Sequence, residues 1–141
     1  MILLNPGPVN VSERVRQALL RPDICHRESE FTELQHRIQG KLLKAFVPGA
    51  EADYAAVLIT GSGTAAVESA LMSAIPHGKR ALVLNNGVYG ERLSQMVGLH
   101  RLGVSELKYE WTTRPDPERL RLALRQHPEI HAVAMVHHET T

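Results

Sequence analysis

Short apolar runs alternate with helical patterns along the chain from residue 54 onward. Each apolar run is too short for a helix, and three of the four end in small or polar residues. Strands that alternate with helices form βαβ units, because each helix returns the chain so that the next strand runs parallel. We therefore predict an α/β fold with a mostly parallel sheet. The predicted strands cover 54–60, 81–86, 104–110 and 131–137, and the predicted helices cover 64–75, 88–100 and 116–127.

The earlier part of the chain has a different pattern. Pro6, Gly7 and Pro8 predict an extended arm with a turn. Ser12 is placed to cap a helix over 13–20, and apolar residues at helical spacing predict a second helix over 30–46. We expect residues 1–22 to form the arm and first helix, and residues 23–141 to form the N-terminal part of a larger domain. The apolar strand that ends the sequence has no helix after it, so we expect a fragment of a longer protein.

Composition narrows the possible classes of function. Of the 141 residues, 43% are hydrophobic and 22% are charged, as in soluble globular proteins. The net charge of +1 and the 4% aromatic content argue against a nucleic-acid surface. A single cysteine, Cys25, leaves no internal disulfide and fits a reducing compartment. With no long apolar run and no signal peptide, the expected location is the cytoplasm.

A glycine turn joins the predicted strand 54–60 to the next helix. The sequence Gly61-Ser62-Gly63-Thr64 leads into that helix. The first N–H groups of a helix have no partner within it, and the helix dipole adds positive charge there. Glycine lets a ligand approach the backbone, and the two hydroxyl groups add hydrogen-bond donors. The turn is therefore a candidate phosphate site, with a plain capped turn as the alternative.

Three kinds of phosphate-binding site can be compared with this turn. A P-loop requires a lysine directly after its last glycine, and none follows Gly63. Gly61, Gly63 and Ala66 match the dinucleotide fingerprint, but the next strand ends in Asn85 and lacks the acidic residue that holds a ribose. A cofactor with one phosphate and a flat ring, pyridoxal 5′-phosphate (PLP), would also need an aromatic cover, which Tyr89 could supply.

Four segments occur in order at a characteristic spacing. They are LLNPGPVNVSERVRQAL, GSGTAAVESAL, NNGVYGER and HHETT. Together they resemble the N-terminal part of the class V, fold-type I PLP-dependent aminotransferases. Within that class they most resemble transaminases of 2-aminoethylphosphonate and pyruvate, with alanine–glyoxylate and serine–glyoxylate aminotransferases as the alternative. A noncatalytic phosphate- or nucleotide-binding α/β module remains an alternative of another class.

The resemblance implies a role for five residues at the cofactor. Ser62, Gly63 and Thr64 would bind its phosphate. Tyr89 would stack on the pyridine ring, and Thr140 would lie beside the ring near its phenolic oxygen.

The resemblance also implies the substrates and the assembly. Asn5, Pro6 and Gly7 would line the substrate side. The substrates would be a small-molecule amino donor and a keto-acid acceptor, with neither nucleic acid nor membrane as partner. The full-length protein would be a homodimer.

Two elements of the family are missing from the sequence. They are the aspartate that pairs with the pyridine nitrogen and the lysine that binds PLP covalently. Lys41, Lys44, Lys79 and Lys108 do not match the position of that lysine. We therefore expect no catalytic residue within this chain, and no transamination by it alone.

Histidine and cysteine residues offer weaker candidate sites. His127 and His131 are four apart, but Pro128 separates them and a strand is predicted to begin at 131. His137 and His138 would point to opposite faces of a strand. We predict no metal site at either pair, and we interpret Cys25 as part of a plain loop.

Overall fold

The structure is a computed structural model that describes residues 2–5 and 7–140. It divides into two compact units, residues 1–60 and residues 61–141. The predicted boundary after residue 22 stays a prediction. A search of the described residues finds no helix able to span a lipid bilayer.

The first unit contains two α-helices and a short 3-10 helix. Helix α1 (Glu13–Ala18) begins after Ser12, whose side chain makes no capping hydrogen bond. Helix α2 (Ser29–Phe46) follows, and the 3-10 helix (Glu51–Asp53) comes after it. Both α-helices were predicted, and both are confirmed to within two residues.

The predicted strand over residues 54–60 is wrong. The segment contains no strand, and the sheet consists of three other strands among the described residues. A strand exists through hydrogen bonds to a neighbouring strand, which an apolar run cannot supply by itself. Here the carbonyl of Ala56 accepts a hydrogen bond from the side chain of Gln39, 2.9 Å away.

The second unit is a three-stranded parallel sheet with helices between its strands. The strand order is β2-β1-β3, and β1 pairs in parallel with both neighbours. The predicted α/β class is confirmed, and each predicted helix and strand after residue 60 is found. The elements in chain order are α3 (Gly63–Ala74), β1 (Arg80–Asn85), α4 (Val88–Leu99), β2 (Gly103–Lys108), α5 (Pro117–Gln126) and β3 (Ile130–Met135).

Strand β1 carries the core on both of its faces. Ala81 packs on one face against Val97 of α4 and Ile75, which follows α3. Leu82 packs on the other face with Ala123 of α5. Successive side chains of a strand point to opposite faces. Strand β1 is therefore apolar throughout, as expected of a central strand in a parallel sheet.

The order of the strands places a crevice between β1 and β3. The chain leaves β1 through α4 to reach β2 on one side, and returns through α5 to β3 on the other side. The connection that follows β1 therefore leads away from β3 at the carboxyl ends of these two strands. Open α/β sheets bind ligands outside the carboxyl ends of their strands.

Helix α5 begins as its sequence predicts. Asp116 precedes the helix, and its side chain accepts a hydrogen bond of 2.8 Å from the N–H group of Glu118. Pro117 occupies the first helical position. An N–H group there would have no acceptor within the helix, so proline loses no hydrogen bond.

Helix α4 lies so close to β1 that one of its glycines admits no side chain. A Cβ atom built at Gly90 would lie 2.9 Å from the Cα atom of Asn85. We expect Gly90→Ala to lower the free energy of unfolding by about 1–3 kcal/mol, because backbone of β1 would have to move. Urea denaturation of the purified chain, followed by circular dichroism, measures this change.

The matched control is Gly98→Ala in the same helix. A Cβ atom at Gly98 meets no heavy atom within 4 Å. Alanine has a higher helix propensity than glycine, so this change should raise the free energy of unfolding by about 0.5–1 kcal/mol. Equal effects of the two substitutions would contradict the close packing at Gly90.

Candidate functional site

A cavity of about 730 Å³ lies in the second unit. Side chains of α3, α4, β3 and the segment after β3 surround it, and most are apolar. Four of the five predicted cofactor residues are among them. The lining residues are Gly63, Thr64, Val67, Ala70, Leu71, Tyr89, Arg92, Leu93, Met96, Val133, Ala134, Met135, Val136, His138 and Thr140.

Helix α3 begins at the cavity with backbone donors exposed. Ser62 is its N-cap, and the Oγ atom accepts a hydrogen bond of 3.2 Å from the N–H group of Ala65. The N–H groups of Gly63 and Thr64 lie earlier in the helix and find no acceptor among the described residues. These donors and the helix dipole favour an anion at this end of the helix.

The same turn leaves room for a ligand. A Cβ atom built at Gly63 would meet no heavy atom within 4 Å. Gly63 and Thr64 are both exposed and line the cavity. The donor set and the open space thus fit a phosphate group.

Tyr89 stands in the first turn of α4, beside the end of β1. The strand ends at Asn85, whose buried side chain accepts a hydrogen bond of 3.4 Å from the N–H group of Gly87. Helix α4 starts directly afterwards, and Tyr89 is 43% exposed along the cavity. Part of its side chain is therefore accessible from the cavity.

Arg92 connects two of the predicted residues and was not singled out from the sequence. Its Nη2 atom donates a hydrogen bond of 3.0 Å to the hydroxyl of Thr64. Its Cζ atom lies 5.4 Å from the centre of the Tyr89 ring. No carboxylate among the described residues forms an ion pair with Arg92. The arginine in NNGVYGER was the available signal, but spacing alone does not show that it reaches Thr64.

Glu139 was also missed as a site residue. One of its carboxylate oxygens accepts a hydrogen bond of 3.1 Å from the N–H group of Tyr89. The other accepts one of 3.1 Å from the N–H group of Thr140. The two oxygens thus contact two residues that line the cavity.

The remaining predicted residues have different positions. Ser62 adjoins the cavity as the cap of α3. Asn5 and Gly7 belong to the first unit, and Pro6 lies outside the described residues. Their predicted role on the substrate side stays a prediction.

No lysine is among the described residues that line the cavity. Lys108 ends β2 and pairs with Glu106 at 3.3 Å. Nor do residues 2–5 and 7–140 hold any group of three or more His, Cys, Asp or Glu side chains suited to a metal ion. His127, one of the predicted pair, contacts Glu129 at 3.2 Å instead.

Comparison with known proteins identifies relatives over nearly the whole chain. No protein-family model matches it. It is 39% identical over 140 residues to the 2-aminoethylphosphonate–pyruvate transaminase of Syntrophobacter fumaroxidans, covering 99% of this chain and 37% of that protein.

Two crystal structures share the fold. The alanine–glyoxylate aminotransferase of Nostoc sp. has a TM-score of 0.86 and 30% identity over 98% of this chain and 36% of its own. The pyridoxamine–pyruvate aminotransferase of Mesorhizobium loti has a TM-score of 0.87 and 27% identity over 99% of this chain and 35% of its own.

The chain spans little more than a third of these relatives, 37% of the transaminase from S. fumaroxidans. The similarity nevertheless extends over 99% of the chain itself, so it does not depend on any single motif. The resemblance to aminotransferases drawn from the four segments is confirmed.

The cap of α3 has a measurable structural contribution. We expect Ser62→Ala to lower the free energy of unfolding of the purified chain by about 1 kcal/mol, because the N–H group of Ala65 loses its acceptor. Ser62→Asn should retain nearly all of the stability, since asparagine caps helices as well as serine. Urea denaturation compares the three proteins, and equal losses in both variants would contradict the capping role.

Proposed function

We propose that this segment of a class V aminotransferase supplies the phosphate- and ring-binding side of a PLP site. The observation that carries the proposal is the cavity itself. It brings together Gly63 and Thr64 from one helix start, Tyr89 from another, and Thr140 from the segment after β3. These residues are far apart in sequence, and they are the ones that the resemblance assigns to one cofactor.

The start of α3 would hold the phosphate. The N–H groups of Gly63 and Thr64 have no acceptor among the described residues, and the hydroxyl groups of Ser62 and Thr64 add donors. The guanidinium of Arg92 contacts the Thr64 hydroxyl and brings positive charge to the same place. A doubly charged phosphate suits this set better than a neutral ligand does.

Tyr89 and Thr140 would position the ring. Tyr89 would cover one face of the pyridine by stacking, and Thr140 would contact its phenolic oxygen. Apolar side chains such as Leu93, Met96 and Val133 would exclude water from the ring. The arm at Asn5, Pro6 and Gly7 would lie on the substrate side.

The chemistry divides between this segment and residues outside it. When bound, PLP acts as an electron sink for negative charge on the substrate carbon next to nitrogen. The covalent lysine and the aspartate at the pyridine nitrogen would come from outside this sequence. The residues of this chain would bind and orient, and none would transfer a proton.

The proposed reaction moves an amino group from 2-aminoethylphosphonate to pyruvate, giving phosphonoacetaldehyde and alanine. The named relative from S. fumaroxidans supports this pair. The alternative pair, alanine or serine with glyoxylate, is favoured by the structural likeness to the aminotransferase from Nostoc sp.. We propose a homodimer in the cytoplasm for the full-length protein.

A substrate panel separates these functions in the full-length protein. We expect alanine to form from pyruvate with 2-aminoethylphosphonate as donor, and to form much more slowly with serine. Glycine formation from glyoxylate with alanine as donor would favour the alternative. No amino transfer, together with no PLP absorbance band that borohydride shifts, would favour a noncatalytic phosphate-binding module.

The role of Tyr89 predicts a change in cofactor retention. We expect Tyr89→Ala in the full-length protein to weaken PLP binding roughly tenfold, because ring stacking contributes about 0.5–1.5 kcal/mol beyond buried area. Tyr89→Phe should retain the affinity, since it keeps the ring and removes only the hydroxyl. Absorbance titration with PLP measures both, and equal affinities in all three proteins would refute stacking.

A pair of substitutions at Ser62 tests the phosphate position separately from stability. Aspartate and asparagine both cap helices and have similar size, so the fold should be retained in both variants. Ser62→Asp adds a negative charge beside the phosphate, and we expect its affinity for PLP to be at least roughly tenfold weaker than that of Ser62→Asn. Similar affinities in these two variants would place the phosphate elsewhere.

A further inference from the structure

We infer that Glu139 is a positioning residue that fixes Tyr89 and Thr140 relative to each other at the cavity. It does so by capping helix α4 from the segment after β3. The consequence for the cofactor rests on the proposed function, whereas the contacts themselves do not.

Helix α4 lacks a cap of its own. Its N-cap is Gly87, which has no side chain to accept a hydrogen bond. The Oε2 atom of Glu139 instead accepts a hydrogen bond of 3.1 Å from the N–H group of Tyr89, in the first turn. A carboxylate at a helix N-terminus is further stabilised by the helix dipole. Glu139 thus provides the cap from a distant part of the chain.

The second carboxylate oxygen holds the other cavity residue. The Oε1 atom of Glu139 accepts a hydrogen bond of 3.1 Å from the N–H group of Thr140. This bond orients the backbone that carries the Thr140 side chain. One carboxylate therefore links the residue proposed to cover the ring with the residue proposed to contact its oxygen.

Gly87 makes the approach of Glu139 possible. A Cβ atom at position 87 would lie 2.5 Å from both Cγ and Cδ of Glu139, and 2.6 Å from Oε2. Any side chain there would displace the carboxylate from the helix start. The requirement is steric, because the backbone of Gly87 is extended, with a φ of 166°.

The link joins the segments that follow two neighbouring strands. Strands β1 and β3 are neighbours, and the segments that follow them carry Gly87 and Glu139. The carboxylate of Glu139 connects these two segments beside the cavity.

The first experiment measures the cap without any cofactor. Hydrogen–deuterium exchange is measured on the full-length protein without added PLP and read by mass spectrometry. It compares the peptide that spans the start of α4 in wild type, Glu139→Ala and Gly87→Ala. We expect exchange at this peptide to be faster by roughly tenfold or more in both variants, because a hydrogen bond to a charged acceptor is lost. A peptide from β1 in the same digest reports whether the fold is intact.

Two matched controls accompany these variants. Glu91→Gln removes another carboxylate from the first turn of α4, and Gly98→Ala adds a methyl group to open space in the same helix. Neither should speed exchange at Tyr89 as much as the Glu139 variants do, because neither touches the contact with Glu139. Glu91→Gln should speed exchange by less than about fivefold, through the lost interaction with the helix dipole, and Gly98→Ala should leave it unchanged or slow it. Glu139→Gln keeps the shape and should fall between wild type and Glu139→Ala.

The second experiment measures PLP affinity in the full-length protein by absorbance titration. We expect affinity to fall in Glu139→Ala and Gly87→Ala, and to recover partly in Glu139→Gln. A shift of the cofactor absorbance band in the same order would show that the ring environment has changed.

Each outcome bears on a different part of the inference. Unchanged exchange in Glu139→Ala would overturn the cap whether or not PLP binds. Faster exchange with unchanged PLP affinity would overturn the positioning role and leave the cap standing. A wild-type protein that binds no PLP would overturn the proposed function, while the exchange data would still decide the cap.

Discussion

The rest of the second unit depends on the pairing of β1 with both of its neighbours. Strand β1 is buried on both faces, and Ala81 and Val83 have no measurable exposure. Its hydrogen bonds to β2 and β3 bring together two segments that are far apart in sequence. A parallel pairing requires a crossover connection, here through helices. The crossover to β2 and the return to β3 run in opposite directions, and since such crossovers are right-handed, α4 and α5 lie on opposite faces of the sheet.

The candidate site is a consequence of the same pairing. Because β1 and β3 run parallel and adjacent, their carboxyl ends meet, and the residues after them share one edge of the sheet. Asn85, Gly87 and Tyr89 follow one strand, and Glu139 and Thr140 follow the other. Helix α3 packs in the same apolar cluster as α4, and it contributes the N–H groups of Gly63 and Thr64. The polar groups therefore lie together at one edge of a mostly apolar cavity.

Much of this arrangement can be predicted from sequence periodicity. The alternation after residue 60 predicts each helix and strand of the second unit, because each carries apolar residues at the spacing of its own kind of element. The same reasoning fails for residues 54–60, whose apolar pattern is equally regular. A strand needs a partner as well as a pattern, and the pattern at Val57 and Leu58 does not show whether a partner is present. Motifs single out Tyr89 and Thr64, which line the cavity, whereas they do not single out Arg92 and Glu139, whose hydrogen bonds reach across the fold.

The sequence by itself determined the α/β class, the helix cap at Asp116, and the residue types available to a phosphate and a ring. These are local properties, set by periodicity, capping and the chemistry of each side chain. Only the tertiary structure decided that β1 is central, that the carboxylate of Glu139 caps α4, and that Arg92 reaches Thr64. These features depend on which strands pair and how closely backbones approach, as at Gly87, and no single stretch of sequence contains that information.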